Sequence, residues 1–353
     1  MKKKNLIFLL FIFILWGKKY QKSKRNRICV VNLHNSQNVG NILVKFALFK
    51  KLKEFGFNPT MIASKNNVGI NIDFLNKTTN LIVLKKNFSE LNESNYDYIM
   101  VNSDQTWTKA DIRFFYDIAF LKFAENWTIP KFIYGASIGV DFWFFTKKDE
   151  EIAKKLLKNF TGISFRENNP IKFVDSYLGI KSVLVLDPTM LIDKFYYLNE
   201  IKNYKTNISF NEKFIFIYQL DQNPYLEKLI NESYLKYNYS IYRHKLFQND
   251  YIESFIFGIN NSQAVITDSF HGTIFSIIFN KPFITFLNKR RGKGRFDSLN
   301  EIFNFENRII DPFNNKTPDI NLLSIPLSYN RTLLNEMKNF SINYLRKNLG
   351  IIR

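Results

Sequence analysis

The chain has little of what disulfides and metal clusters are made from. It holds one cysteine, Cys29, in 353 residues. No intrachain disulfide can form, and no cysteine cluster can hold a metal. Cys29 lies in an apolar run and reads as a core strand residue. Only three histidines occur, His34, His244 and His271. A zinc site is therefore not expected, and neither a metal nor a cofactor is assigned. Nothing around His34 or His244 converges on a role. The sequence shows no internal repeat, no low-complexity tract beyond an Asn/Lys bias, and no nucleic-acid-binding motif, so no nucleic-acid partner is expected.

What is present is enough for a large core. A hydrophobic fraction of 46% excludes wholesale disorder, and the length allows two domains or one large α/β domain. The net charge of +19 is unevenly spread: Met1–Arg27 carries nine Lys and Arg and no acid, leaving 41 bases against 31 acids. A moderately basic body fits an anionic small substrate, an acidic membrane surface or a solvated lysine-rich surface. Lys2–Lys4, Leu6–Trp16 and Lys18–Arg27 form a basic–apolar–basic segment. Its apolar centre would make a helix of roughly 16 Å, against a hydrocarbon core of about 30 Å. Bases on both sides oppose translocation. Residues 1–26 are expected to anchor shallowly on the cytoplasmic face of a membrane. An uncleaved signal-anchor and a misplaced start codon are the alternatives.

The most informative stretch is Ala264–Phe286, which reads as strand, polar turn, helix, strand. Thr267, Asp268 and Ser269 are residue types that cap helix N-termini. His271 and Gly272 follow, and Lys281-Pro282 ends the helix. The turn lies at the carboxyl end of a strand and the amino end of a helix. Ligands of open α/β sheets bind at that edge, and free N–H groups there favour anions. His271 is a candidate acid, base or phosphate ligand. A structural capped turn with an incidental histidine is the other reading.

Similar units recur. Arg27–Leu33 reads as a strand, His34–Asn41 as a polar loop and Ile42–Phe55 as a helix. Tyr96–Asn102 and Phe132–Ile138 read as further strands. Asn35–Asn41, Ser103–Trp107, Gly135–Gly139, Asp187–Thr189 and Asp268–Gly272 all follow or end such strands. In a doubly wound sheet they gather on one edge. The alternation predicts two α/β domains with parallel sheets, residues 27–199 and 212–353. Residues 200–211 read as a linker, and a C-terminal helix over Leu333–Leu345 is expected to pack back on the first domain.

These loops, in this order, resemble the polysaccharide pyruvyl transferase family. The matching residues are Asn38-Val39-Gly40-Asn41, Asn102-Ser103-Asp104-Gln105-Thr106-Trp107 and Tyr134–Gly139. Ser164-Phe165-Arg166-Glu167, Leu186–Thr189, Ile266–Thr273 and Arg295-Phe296 follow. Asn41 stands where the family frequently has Asp. The resemblance implies two Rossmann-like domains facing a cleft, as in GT-B glycosyltransferases. It also implies transfer of a pyruvyl group from phosphoenolpyruvate to two hydroxyls of a sugar or glycan, giving a ketal and phosphate.

That chemistry needs an acid for C3 of the enol, cations for carboxylate and phosphate, and a base for the attacking hydroxyl. His271, Asp104 and Asp268 are the expected catalytic residues, with helix capping as the other role for either aspartate. Arg166 and Arg295 are the expected clamps on the donor, with Ser269 and Gly272 beside them. Asn38, Gly40, Ser103, Gln105, Trp107 and Ser137 are assigned to the acceptor side, Trp107 as a surface for stacking on a sugar, with a buried tryptophan at the loop base as its other reading. A nucleotide-sugar glycosyltransferase on the same architecture, with Glu253 as its only candidate for the ribose, and an inactive binding member of the family are the competing readings.

Overall fold

A computed structural model describes residues 26–32, 38–64, 72–108, 115–205, 212–245, 251–288, 291–314 and 317–352. Residues 1–25 of the segment expected to meet a membrane, His34, and residues 206–211 of the expected linker lie outside the described residues. Among the described residues, no helix is long and apolar enough to cross a membrane.

The first sheet contains β1 (Arg27–Val31), β2 (Asn58–Ser64), β3 (Leu81–Leu84), β4 (Tyr98–Val101), β5 (Lys131–Ile133) and β6 (Phe160–Gly162). All neighbours pair parallel, in the order β3-β2-β1-β4-β5-β6. Such a sheet is covered on both faces, so its central strands are apolar throughout rather than alternating. Accordingly Ile28, Cys29, Val30 and Val31 are all buried. The covering helices are α1 (Val39–Glu54), α2 (Ile72–Thr78), α3 (Phe115–Phe120) and α4 (Lys147–Leu157). α1 starts three residues earlier than expected, because the Asn38 side chain caps it by accepting the Gly40 N–H at 2.8 Å. β5 stops at Ile133, short of the expected Ile138. Beyond it Gly135 takes a φ of +60°, and the chain turns off the sheet.

A small parallel pair, β7 (Ser164–Phe165) and β8 (Val183–Leu184), extends this edge through single bridges of Ala136 with Asp104 and with Phe165. α5 (Asn168–Phe173) and α6 (Lys194–Glu200) follow. Glu200, expected to open the linker, is instead the last residue of α6 and pairs with Lys50 at 2.8 Å.

The second sheet holds β9 (Phe214–Tyr218), β10 (Ser240–Arg243), β11 (Ala264–Thr267), β12 (Phe283–Phe286) and β13 (Ile309–Ile310). It is also parallel, in the order β10-β9-β11-β12-β13. Its helices are α7 (Pro224–Tyr237), α8 (Tyr251–Asn261), α9 (Phe270–Ile278) and α10 (Gly294–Phe303). The last helix, α11 (Arg331–Asn348), lies against the first domain. Tyr344 donates to the Ile133 carbonyl at 2.7 Å, and the Leu186 N–H donates to Ser341 at 2.9 Å. Strand order reverses between β1 and β4 in one sheet and between β9 and β11 in the other. Such switch points open crevices at the carboxyl ends of the strands. The loops after these strands meet one another across the two domains.

Candidate functional site

The loop after β4 is strained. Asp104 has a φ of 104°, a region that residues other than glycine rarely occupy and that costs about 1–3 kcal/mol. Its carbonyl accepts the N–H groups of Thr106 at 2.7 Å and Ser137 at 2.8 Å, which hold the loop in place. The carboxylate accepts from the Asn41 amide at 2.6 Å, from Arg166 Nη2 at 2.9 Å and from the Gln105 N–H at 2.9 Å.

Arg166, just past β7, gives its other terminal nitrogen, Nη1, to Asp187 at 2.6 Å. The guanidinium is buried between two carboxylates. Burial disfavours every charge in this triad, but mutual attraction outweighs it. Both aspartates are held below the usual carboxylate range, and Arg166 is held above its ordinary value. Arg166 therefore supplies little net positive charge to a ligand, contrary to its expected role as a donor clamp. It is the keystone of the first domain's half of the site.

His271 lies in the first turn of α9, not in the turn before it as expected, because Ser269 is the N-cap and accepts the Gly272 N–H at 3.3 Å. The ring is buried. Nε2 stands 3.5 Å from both Asp187 Oδ2 and Arg166 Nη1. Gly40, at the start of α1, lies against the other side of the ring. A Cβ on Gly40 would fall 1.9 Å from His271 Nδ1. Gly272 has a similar task, since its Cβ would meet Thr267 Oγ1 at 2.3 Å. Glycine there lets α9 sit close on the end of β11.

Asp268 does not cap α9. Its carboxylate accepts the N–H groups of Leu220 at 2.7 Å and Asp221 at 3.0 Å, and the Asn288 amide at 3.3 Å. Burial raises its pKa, with the two N–H donors pulling the other way.

Arg295, in the first turn of α10, is buried with Nε lacking a hydrogen-bond partner. Nη2 donates to the Arg291 carbonyl. Burial and the nearby Arg166 lower its pKa to about 10, so it remains charged at neutral pH. It forms no ion pair among the described residues. Its guanidinium carbon and that of Arg166 both lie over the Phe270 ring, 5.1 and 5.2 Å from the centroid. The helix carrying Arg295 has no cap of its own. Asp141 of the first domain accepts the N–H groups of Lys293 at 3.1 Å and Gly294 at 2.7 Å. Arg295 is thus aimed by a carboxylate from across the cleft.

Together these groups enclose a cavity of about 140 Å³. Asn38, Asn41 and Asp104 line it from the first domain, and Asp268, His271 and Arg295 from the second. Gln105 lines it too, its amide 3.5 Å from the Arg291 carbonyl. Four expected acceptor contacts do not line it, Gly40 because it is packed against the His271 ring. Trp107 is fully buried, its ring 4.9–5.8 Å from those of Phe120, Phe145 and Phe165, so it is a core residue and not a sugar platform. Ser103 is buried and donates to the Gly135 carbonyl at 2.6 Å. Ser137 is buried and donates to Glu167 at 2.9 Å. Both hold loops.

Three participants have no role that the sequence alone assigns. Asp187 stands there only as part of a loop. Asn41 bridges a cation and an anion: Lys45 donates to its oxygen and its amide donates to Asp104. Burial lowers the Lys45 pKa to about 7, with Asp104 opposing. The available signal is a lysine one helical turn after Asn41, inside the apolar run Ile42–Phe49 of α1.

A family model described as polysaccharide pyruvyl transferase matches residues 38–290. The chain belongs to that family. Within this pyruvyl transferase family member the match covers the cavity wall from Asn38 to His271 and stops short of Arg291, Arg295 and Phe296. No curated protein sequence matches the chain. Solved structures share the fold at low identity. The UDP-GlcNAc 2-epimerase of Neisseria meningitidis, bound to UDP-GlcNAc, aligns with a TM-score of 0.55 at 10% identity over 92% of this chain and 100% of its own. The UDP-GlcNAc 2-epimerase of Methanocaldococcus jannaschii gives 0.55 at 12% identity, over 91% and 98%. A glycosyltransferase of Rickettsia africae gives 0.54 at 14% identity, over 93% and 98%. The family member therefore has the two-domain GT-B-like fold.

Proposed function

We propose that the protein transfers a pyruvyl group from phosphoenolpyruvate to two hydroxyls of a sugar, forming a ketal and releasing phosphate. The observation that carries this reading is Arg295. It is a buried cation with an unpartnered Nε, beside a small polar cavity that also takes in the N-terminus of α9. At about 140 Å³ the cavity is below the 300–1,000 Å³ usual for larger ligands. A three-carbon acid phosphate suits that size better than a nucleotide sugar does.

In this reading Arg295 and the α9 N-terminus hold the donor's anionic groups. His271 gives a proton to C3 of the enol, and positive charge builds at C2. The first hydroxyl attacks C2 and passes its proton to Asp268, whose raised pKa suits a base better than that of the arginine-bound Asp104. The C2–O bond to phosphate then breaks with its electron pair, and the second hydroxyl attacks. Its proton leaves with the phosphate side. Asp104 and Asp187 hold Arg166 and the His271 ring in place. The basic–apolar residues 1–26 are assigned to a membrane surface, where a lipid-linked glycan acceptor would be found.

The test is phosphoenolpyruvate with a panel of β-galactosides and N-acetylhexosaminides, using the full-length chain. Phosphate release with a sugar heavier by one pyruvyl ketal is expected, falling roughly 10²–10⁴-fold in His271→Ala. Absence of both a product and a donor-induced thermal shift would overturn the reading.

A further inference from the structure

Once Trp107, Ser103 and Ser137 are seen to be buried, the first domain offers little surface for a sugar. A second cavity, of about 430 Å³, lies at the switch point of the other sheet, outside the carboxyl ends of β9 and β11. Its volume is in the ordinary ligand range. It shares Asp268 with the small cavity, so a molecule filling it reaches the base assigned above.

The lining has the chemistry of a neutral polyol site. Asp221, Asp268 and Asn288 supply planar polar groups suited to paired hydroxyls. Tyr225 and Phe313 present exposed rings, 52% and 68% accessible, suited to the apolar face of a sugar. Among the described residues, no Lys, Arg or His lines it. The N-terminus of α7 adjoins the cavity, but the Asn223 side chain already accepts its Tyr225 and Leu226 N–H groups. Arg291, at the margin, is paired with Asp221 at 2.8 Å. Two carboxylates, with no available cation among the described residues, disfavour a diphosphate here.

We infer that this crevice is the acceptor subsite, that its ligand is an uncharged sugar unit of a glycan, and that Asn288, Tyr225 and Phe313 position it against Asp268. The inference rests on the pyruvyl-transfer reading for its use, though not for its ligand chemistry. The acceptor thus lies on the second domain, and the donor lies between the two.

The experiment is saturation-transfer NMR on the full-length chain, with methyl β-galactoside, methyl N-acetyl-β-glucosaminide and UDP as separate probes. It is paired with phosphate-release kinetics for Asn288→Ala and Phe313→Ala. Transfer to at least one glycoside and none to UDP is expected, with the glycoside signal lost in both variants. The glycoside KM should rise about tenfold or more, which corresponds to about 1.4 kcal/mol of binding free energy. The phosphoenolpyruvate KM should move less than about twofold, because only one subsite is altered. Phe313 is exposed, so its variant keeps the fold whatever becomes of Asn288→Ala. Transfer to UDP, no transfer to either glycoside, or an unchanged glycoside KM in both variants overturns the inference. If glycoside binding is lost in the variants but wild-type protein never consumes phosphoenolpyruvate, the subsite stands and the pyruvyl-transfer reading falls.

Discussion

Gly40→Ala isolates the contact between the two domains' helix ends. Gly40 lies in the first turn of α1 with an ordinary negative φ, so alanine fits the backbone. On helix propensity alone the change is favourable by up to about 1 kcal/mol. The steric effect opposes this. The new methyl would lie 1.9 Å from His271 Nδ1, whereas real Cβ contacts do not fall below 3.0 Å. The ring must retreat by about 1 Å, a displacement that commonly lowers turnover about 10²-fold. It has little room to do so, with Asp187 and Arg166 each 3.5 Å from Nε2. The variant should therefore lose about 100-fold in phosphate release. Its melting temperature should stay within about 4 °C of wild type, because the two effects oppose each other. The assay is phosphoenolpyruvate-dependent phosphate release beside a circular-dichroism melt. Turnover within about threefold of wild type would refute the reasoning, since it would mean that the ring moves freely or does no chemistry.

Arg295→Met should abolish most of the phosphoenolpyruvate-induced thermal shift while the unliganded protein melts at or above the wild-type temperature, because no ion pair offsets the desolvation of the buried guanidinium; donor binding equal to wild type would remove Arg295 from the anion site. Asp187→Asn should destabilise by about 3–5 kcal/mol in urea unfolding, since it leaves Arg166 half-paired in the interior. The folded pKa of Asp187 is depressed, so its contribution is complete above the unfolded value near 4 and fades as pH falls below that; the variant should show a flatter loss of stability there, and an identical acid limb would count against the triad. Lys45 has its folded pKa lowered to about 7, so the unfolded chain holds the extra proton between about pH 7 and 10. Stability should then rise with pH across that window, by at most about 1.4 kcal/mol per unit, and Lys45→Met should remove that slope.

Much of the architecture was legible because strands buried on both faces are apolar without interruption. RICVV, FIFIY and AVIT are all buried along their length, apart from Arg27 at the very edge. The turn after β11 was legible because Ser269 and Gly272 obey local rules of capping and close approach. Asp268 misled because its type fits a cap, and only the fold shows that Leu220 and Asp221, 47–48 residues away, supply its donors. Arg166 misled for the same reason. Its partners, 62 and 21 residues distant, decide whether the guanidinium meets a ligand or is consumed. Trp107 could not be placed from sequence, because a tryptophan at a loop base serves equally as platform or core, and three phenylalanines from other elements settle it. Gly40 reads as ordinary turn chemistry until a histidine 231 positions later is found against it.

The distribution of contacts across the cleft explains why the proposed anion pocket belongs to neither domain. Arg295 is carried by the second domain, yet its helix is capped by Asp141 of the first. His271 is likewise carried by the second, yet its ring is bounded by Gly40, Asp187 and Arg166 of the first. Gly292, with a φ of +89°, approaches Gly139 so closely that a Cβ would lie 2.5 Å from its carbonyl oxygen. These three contacts lie in loops and helix ends, while α11 ties the chain's end to the first domain through Ile133 and Leu186. Separating the domains would take Arg295 from its cap and His271 from its carboxylate together. A donor anion held by Arg295 and the α9 N-terminus therefore favours the joined arrangement, and by linkage the joined arrangement favours the donor. The acceptor crevice depends on no such contact, since every group assigned to it comes from the second domain. Sugar affinity should therefore be less sensitive than donor affinity to anything that loosens the cleft.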